Sequence, residues 1–364
     1  MIPTLLHRDK LLKKDLIRLL CTKGEEEQAL LDCAAKVKQE NVGNTVYLRG
    51  LIEFSNICEK NCYYCGIRRD NTNARRYCLT SDEALEAIRF AYEKGFGSVA
   101  IQSGEFHSNT STRKIDSLLK EAMRITNREI GITLSCGEQP EEVYRRWFES
   151  GASRYLLRIE SSSGELYRKI HPDDETHRFS RRLKALESLK KLGYQTGTGV
   201  MIGLPFQSTE DLANDLLFMK QLDIDMCGMG PYIEHAQTPL YKYKGVLTPL
   251  QERFDLSLKM VALLRILMPD INIAATTALQ SIEKEGREKA IRIGANVLMP
   301  NITPKQYRDD YSLYQNKPVS QLNNEDDLRF LELQLKGISH EIGYFRQGNS
   351  KHYKKGESST NEGH

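Results

Sequence analysis

The feature that most restricts what this chain can fold into is an alternation. From residue 46 onward, eight short apolar or β-branched runs read as strands, at 46–53, 98–102, 130–135, 154–159, 196–202, 225–230, 271–276 and 295–299. Amphipathic stretches of helical period fill 81–94, 111–125, 140–150, 178–192, 208–220, 250–267 and 284–293, and a last one follows at 325–342. Strand then helix, eight times over, is the pattern of an α/β fold of the complete (β/α)8 TIM-barrel class. It is preceded by an N-terminal helical extension in which Leu11, Leu12, Leu16, Leu19 and Leu20 recur at helical spacing. The competing arrangement is a doubly wound open sheet, which usually shows a glycine-rich dinucleotide turn after its first strand. Here the first strand runs into cysteines instead. The expected organisation is a helical extension at 1–42, a barrel at 43–345, and a disordered Lys-, Gly-, Ser- and Asn-rich tail at 346–364.

Charge and hydropathy then remove whole classes of function. The 52 Lys+Arg against 49 Asp+Glu leave a net charge of +3, too little for a charge-driven nucleic-acid footprint. No apolar run is long enough to span a membrane, and the charged N-terminus does not read as a secretory leader. The expected location is therefore the cytoplasm. In a reducing compartment the eight cysteines are not a disulfide framework. Five are scattered (Cys21, Cys33, Cys78, Cys136 and Cys227), and three crowd together as Cys58, Cys62 and Cys65.

That trio is a C-x3-C-x2-C array directly after the first strand. Three thiolates on one loop can hold three irons of a cubane and leave the fourth iron without a protein ligand. The open corner can chelate the amino and carboxylate groups of S-adenosylmethionine, and one electron then releases a 5′-deoxyadenosyl radical. The alternative is a zinc site completed by Cys78. Structural zinc, however, prefers paired knuckles, and Cys78 stands alone.

Barrel enzymes gather their chemistry at the C-terminal ends of the strands. There the chain carries Gln102-Ser103-Gly104-Glu105, where a Gly-Glu pair can accept from the ammonium of a bound amino acid. Thr133 to Glu138 follows the third strand. Arg158 and Glu160 share one face of the fourth, suited to the two ends of an amino-acid-like ligand or to a plain rim ion pair. Met201, Met226 and Met299 at later strand ends would line a water-shielded cavity, or simply fill core. Tyr307, Tyr311 and Tyr314 could roof it, or pack the final helix.

The cysteine spacing, with Tyr64 just before the last cysteine, resembles the radical S-adenosylmethionine superfamily. Within it, Leu48-Arg-Gly-Leu-Ile-Glu-Phe-Ser-Asn-Ile-Cys58, Arg154-Tyr-Leu-Leu-Arg158, Gly203-Leu-Pro205, Ala274-Ala-Thr-Thr-Ala278 and Ala295-Asn-Val-Leu-Met-Pro-Asn301 resemble the HydE family of FeFe-hydrogenase maturases. The resemblance covers residues 40–315, and biotin synthase and methylornithine synthase are more distant relatives. It implies one 4Fe–4S cluster on Cys58, Cys62 and Cys65, and S-adenosylmethionine beside it. The radical would act on a small organometallic substrate, a cysteine-bound Fe(CO)2(CN) synthon made by the partner maturase HydG. Other hydrogenase maturases and an electron donor of ferredoxin or flavodoxin type are the implied partners. Tyr64, Gln102, Ser103, Glu105, Thr133, Arg158, Glu160, Arg182 and Met201 are the expected cofactor-binding residues. Met226, Thr276, Thr277, Met299, Tyr311 and Tyr314 are expected in the substrate cavity. The chain departs from many relatives in having no further cysteines after Tyr314, so a single cluster is expected. The stretch 173–182 is longer than usual, which sets Arg181 against Arg182, and Cys136 replaces an aliphatic residue. Two other functions share these features: a HydE-like enzyme on another thiol or amino-acid substrate, such as a mutase resembling methylornithine synthase, and a non-enzymatic Fe–S scaffold.

Overall fold

In the computed structural model, residues 11–318 and 325–353 are described. Eight parallel strands form the core: β1 Thr45–Ser55, β2 Ser98–Ser103, β3 Gly131–Ser135, β4 Ala152–Leu156, β5 Gln195–Thr198, β6 Met226–Cys227, β7 Asn272–Ile273 and β8 Val297–Leu298. They pair in the order β8-β1-β2-β3-β4-β5-β6-β7. Their apolar side chains are buried on both faces, as parallel strands covered by helices require. The covering helices include α1 Lys13–Leu20 and α2 Glu25–Asn41 of the N-terminal extension, then α3 Ser81–Glu93, α4 Asn109–Ile125, α5 Glu141–Glu149, α6 Phe179–Lys191, α7 Thr209–Leu222, α8 Leu250–Leu267 and α9 Gly286–Ile293. Sequence signals set several of their ends. Thr80 and Glu83 form a reciprocal capping box before α3, and Ser208 and Asp211 do the same before α7.

The expected barrel is present as a curled sheet, but its last joint is not a regular ladder. β7 and β8 meet in a single bridge, Ala274 to Val297. Two backbone bonds cross there, from Asn296 N–H to the Ile273 carbonyl and from Ala275 N–H to the Val297 carbonyl, each 2.9 Å. Side chains take ladder positions nearby. The Asn296 amide oxygen accepts from Ile273 N–H at 2.9 Å, and the Asn296 amide nitrogen donates to Asn272 at 2.8 Å. Strands β6 to β8 are accordingly shorter than their apolar runs suggest.

Two expectations about the C-terminal region need correction. The final helix, α10, spans Glu325–Gly337 and does not reach residue 342. Ser339 takes a left-handed backbone (φ 61°), His340 N–H bonds back to the Leu335 carbonyl, and residues 341–342 then run parallel to the start of β1. Residues 346–353, expected in a disordered tail, instead form a strap under the barrel. The Gln347 carbonyl and Asn349 Oδ1 accept from Arg154, and the Gly348 carbonyl accepts from Arg49 and Asn272. Farther along, His352 lies between Asp223 (2.7 Å) and Asp270 (2.9 Å), and these carboxylates raise its pKa against the effect of burial. Composition cannot reveal such a strap, because much of its hold on the barrel runs through the Gln347 and Gly348 carbonyls. The rest of that expected tail, residues 354–364, lies outside the described residues. So do residues 1–10 of the N-terminal extension. Among the described residues no helix is long and apolar enough to cross a membrane.

Candidate functional site

The C-terminal end of β1 opens into the loop that carries Cys58, Cys62 and Cys65, and this loop is built around two polar side chains. Asn56 is fully buried. Its amide donates to the carbonyls of Arg75 and Asp310 (2.7 Å each) and accepts from Tyr77 N–H at 2.8 Å, tying the loop's start to its end. Arg76 donates inward to the carbonyls of Asn56 (2.7 Å), Ile67 (2.8 Å), Arg68 (2.6 Å) and Asn71 (3.2 Å). With the Arg69 carbonyl at 3.4 Å, one guanidinium thus satisfies five carbonyls of this irregular segment.

Two glycines let other backbone come close to the cysteines. A Cβ on Gly66 would stand 2.1 Å from the Ser312 carbonyl, and one on Gly104 would stand 2.2 Å from the Ile57 carbonyl and 2.9 Å from Cys58 Cβ. We expect Gly104→Ala to push Cys58 out of place at a cost of roughly 1–3 kcal/mol. Iron bound after anaerobic reconstitution should then fall while far-UV circular dichroism is retained. Wild-type iron content in this variant would mean that the loop yields without loss.

The three thiols influence one another. Burial and then the charge of Cys58 push the Cys62 thiol up to about 12, and burial followed by Cys62 and Cys58 raises Cys65 well above its ordinary value. Such thiols give up their protons when cations replace them. Cys78 is apart from this group: it is exposed, with its sulfur 3.2 Å from Lys114 Nζ. Among the described residues no three His, Cys, Asp or Glu side chains are placed to share one ion. Tetrahedral zinc would need sulfurs about 3.8 Å apart, whereas a cubane takes each thiolate on a different iron.

Beneath the loop lies a buried charge network. Lys60, in the spacer between Cys58 and Cys62, is 3.2 Å from both Glu105 and Glu138 and also donates to the Thr176 carbonyl. Glu138 receives Arg182 at 2.5 Å and Arg181 at 3.0 Å. Burial opposes ionisation of Glu138, but Arg182 and Lys60 outweigh it and hold this carboxyl below its usual range. Glu105 is raised, first by burial and then by Glu138. Its carboxylate also accepts from Glu138 N–H at 2.9 Å. Glu105, expected as an ammonium acceptor, is buried beneath the loop, and its Oε1 has no hydrogen-bond partner among the described residues. Of the two arginines in competition, Arg182 is the buried one, and it also donates to the Arg158 carbonyl at 2.6 Å.

Arg158 and Glu160 do form a pair, at 2.9 Å, and burial raises the Glu160 carboxyl despite Arg158. Glu160 stands in the left-handed region (φ 63°), a conformation that costs about 1–3 kcal/mol in a residue with a side chain. Arg158 Nε and Thr133 Oγ1 are buried without a hydrogen-bond partner in the protein. Tyr64 donates its hydroxyl to His171 Nε2 at 3.1 Å. The imidazole orientation follows from His171 Nδ1, which donates to the Tyr167 carbonyl at 2.9 Å. Gln102, next to last in β2, is in register with Glu53 and Ser135, and Ser103 donates to the Gly104 carbonyl at 2.8 Å.

Inside the barrel, Thr133, Met226 and Met299 line one cavity with Leu156 and Cys227. Met226 lies deep in it, its sulfur 2.9 Å from Arg49. Met201 is not part of this lining. The backbone at Gly199 passes against Gly228 and the chain re-forms as a short piece at 201–202 paired with 230–231, so Met201 packs in a separate cluster with Tyr64, Leu204 and Tyr232. Thr276 caps the short helix Thr277–Ile282 and donates to the Met229 carbonyl at 3.2 Å. Tyr311 is buried, Tyr314 is half-buried, and the Leu313 carbonyl accepts from Gly66 N–H at 3.0 Å. The segment 311–314 therefore lies against the cysteine loop and does not extend a helix. Tyr307 stacks on Tyr77, 4.8 Å between ring centres.

Residues 52–219 match the Radical SAM superfamily. The [FeFe] hydrogenase maturase subunit HydE of Thermotoga maritima is 48% identical over 290 residues, which cover 80% of each chain. The chain belongs to the HydE family of radical SAM enzymes. The 3-methylornithine synthase of Methanosarcina acetivorans is 28% identical over 78% of this chain and 77% of its own length. Among solved structures, methylornithine synthase superposes with a TM-score of 0.78 at 23% identity, covering 94% of this chain and 97% of that one. The hydrogenase maturase HydG gives 0.77 at 19%, covering 94% and 75%. These two likenesses show a shared fold.

Radical SAM enzymes use a 4Fe–4S cluster and S-adenosylmethionine, and the residues present here fit both. Three thiols share one loop, with no fourth cysteine on it, and unpartnered donors on Arg158 and Thr133 fit an anionic end of a bound molecule. In this radical SAM enzyme the residues that sequence reasoning left without a role are Asn56, Lys60, Arg76, Glu138 and His171. Lys60 lies within the motif itself and Glu138 closes the strand-end string that begins at Thr133, and those two positions were the available signals. The others stand where charged or polar residues are solvated in most chains.

Proposed function

We propose that this radical SAM enzyme acts in FeFe-hydrogenase maturation on a cysteine-bound Fe(CO)2(CN) synthon, as an H-cluster assembly step in the cytoplasm. When bound, one 4Fe–4S cluster on Cys58, Cys62 and Cys65, together with S-adenosylmethionine, supplies a 5′-deoxyadenosyl radical. Similarity to HydE supports the setting, with a synthon-producing maturase and a ferredoxin- or flavodoxin-type donor as partners.

The observation that carries the reading is the Arg158–Glu160 pair, joined through the Arg158 carbonyl to Arg182 of the network under the cysteine loop. Arg158, with its unpartnered Nε, and Thr133 Oγ1 offer donors for a carboxylate, and Glu160 offers an acceptor for an ammonium. Gln102 and Ser103 at the end of β2 and Arg182 under Arg158 complete the cofactor side. Tyr64 is oriented there by His171, and Met201 packs behind it. Met226 and Met299 keep water from the reacting atoms, Thr276 and Thr277 close the β7 side, and Tyr311 and Tyr314 cover the loop.

The test is 5′-deoxyadenosine formed by anaerobically reconstituted protein with dithionite and S-adenosylmethionine, with and without the synthon. The expected result is release that rises with the synthon. No 5′-deoxyadenosine above background would leave the scaffold reading standing. A rise with a free amino acid and none with the synthon would favour a mutase.

A further inference from the structure

The cysteine loop holds a cation that the chemistry described so far does not use. Lys60 is 5% exposed and stands between Glu105 and Glu138, whose side chains are 4% and 2% exposed. The three groups join different parts of the fold: Lys60 the cysteine spacer, Glu105 the end of β2, and Glu138 the end of β3. Further bonds close the same joint. Glu59 N–H donates to the Glu105 carbonyl at 2.7 Å, and His107 contacts Glu59 and the Glu138 carbonyl, each at 2.7 Å. Glu138 already has Arg182 and Arg181. Among the described residues Lys60 is the only cation within 3.5 Å of the Glu105 carboxylate, His107 being 3.7 Å away. Removing the lysine would leave a buried carboxylate without its cation, directly under the loop.

We propose that Lys60 is a positioning residue that fastens the cysteine loop to the ends of β2 and β3 and, as a buried cation, raises the reduction potential of the cluster held there. A charge in a dry interior is weakly screened, so its sign reaches an iron–sulfur centre a few residues away. A positive charge favours the reduced, more negative state of such a centre. The same lysine keeps Glu105 and Glu138 from repelling each other and from working the opposite effect.

The inference rests on the cluster reading, so wild-type protein is first reconstituted and its iron counted. Failure at that stage overturns the cluster reading itself, whereas the variants address Lys60 alone. Midpoint potentials are then read by redox titration followed by electron paramagnetic resonance. Lys60→Met should shift the potential negative and weaken iron retention against a chelator by roughly 10–100-fold. Lys60→Arg should return both close to wild type. Glu138→Gln, which removes a negative charge from the same network, should shift the potential positive. A purely structural joint would not give opposite signs. Equal potentials, or shifts of the same sign, overturn the proposal. If Lys60→Met retains no cluster, the Arg and Gln variants decide: an unchanged potential in the first and a positive shift in the second support it, and any other pattern overturns it.

Discussion

Replacing Cys62 with serine is expected to abolish the iron–sulfur absorbance of reconstituted protein and to bring 5′-deoxyadenosine down to the level of a protein-free control. A serine hydroxyl does not ionise near neutral pH, so one corner of the cluster loses its anionic ligand. Cys62 is the most buried of the three and sits between the other two in the chain. Its loss therefore cannot be repaired by solvent or by another thiol of the loop. Serine at Cys21, Cys33 or Cys78 is expected to leave both readings intact. Cys21 and Cys78 are exposed, Cys33 is half-buried on α2, and Cys78 lies against Lys114 away from the trio. Near-wild-type iron in Cys62→Ser, or its loss in Cys78→Ser, would show that the ligand set is wrong.

Ending the chain after Phe345 should destabilise it by about 2–6 kcal/mol relative to a chain ending at Tyr353, which keeps the strap. Arg49 and Arg154 are fully withdrawn from solvent inside the barrel, and burial lowers the pKa of both. Among the described residues neither has a carboxylate partner. Their hydrogen bonds run to the Gln347 and Gly348 carbonyls, to Asn349 and to the sulfur of Met226. Removing the strap takes away most of these acceptors, at about 1–3 kcal/mol for each charged group left without them. That is a large share of a total stability of about 5–15 kcal/mol. Chemical denaturation of the two truncated chains measures the difference directly. A difference below about 1 kcal/mol would show that water entering from the open end replaces the strap without loss.

These two predictions draw on parts of the molecule that the sequence disclosed very unequally. The cysteine spacing was legible because metal chemistry ties residue type to spacing, and α8 at 250–267 was legible because a long helix shows its period many times. The ends of β5 to β8 were not. Asn272, Asn296 and Asp225 place side-chain oxygens where a ladder would place carbonyls, and no alternation of apolar residues records that. Lys60, Arg76 and His171 escaped notice because a charged or polar residue on a loop is solvated in most proteins. Only contacts with Glu105, with five carbonyls and with Tyr64 distinguish them. The strap is hidden for a related reason: a segment rich in Lys, Gly, Ser and Asn can hold a precise place when its carbonyls, together with a few side chains such as Asn349 and His352, meet partners on the barrel.

The single bridge between Ala274 and Val297 gives the barrel an uneven stiffness. The arc from β1 to β4 is joined by long ladders, and it carries the cysteine loop, the Lys60 network and Arg158. The joint between β7 and β8, beside Met299 and Thr276, rests on one bridge and two bonds. A ring with one thin section strains there first. Changes in the bore fall between β7 and β8, and the arc that carries the cysteine loop keeps its spacing.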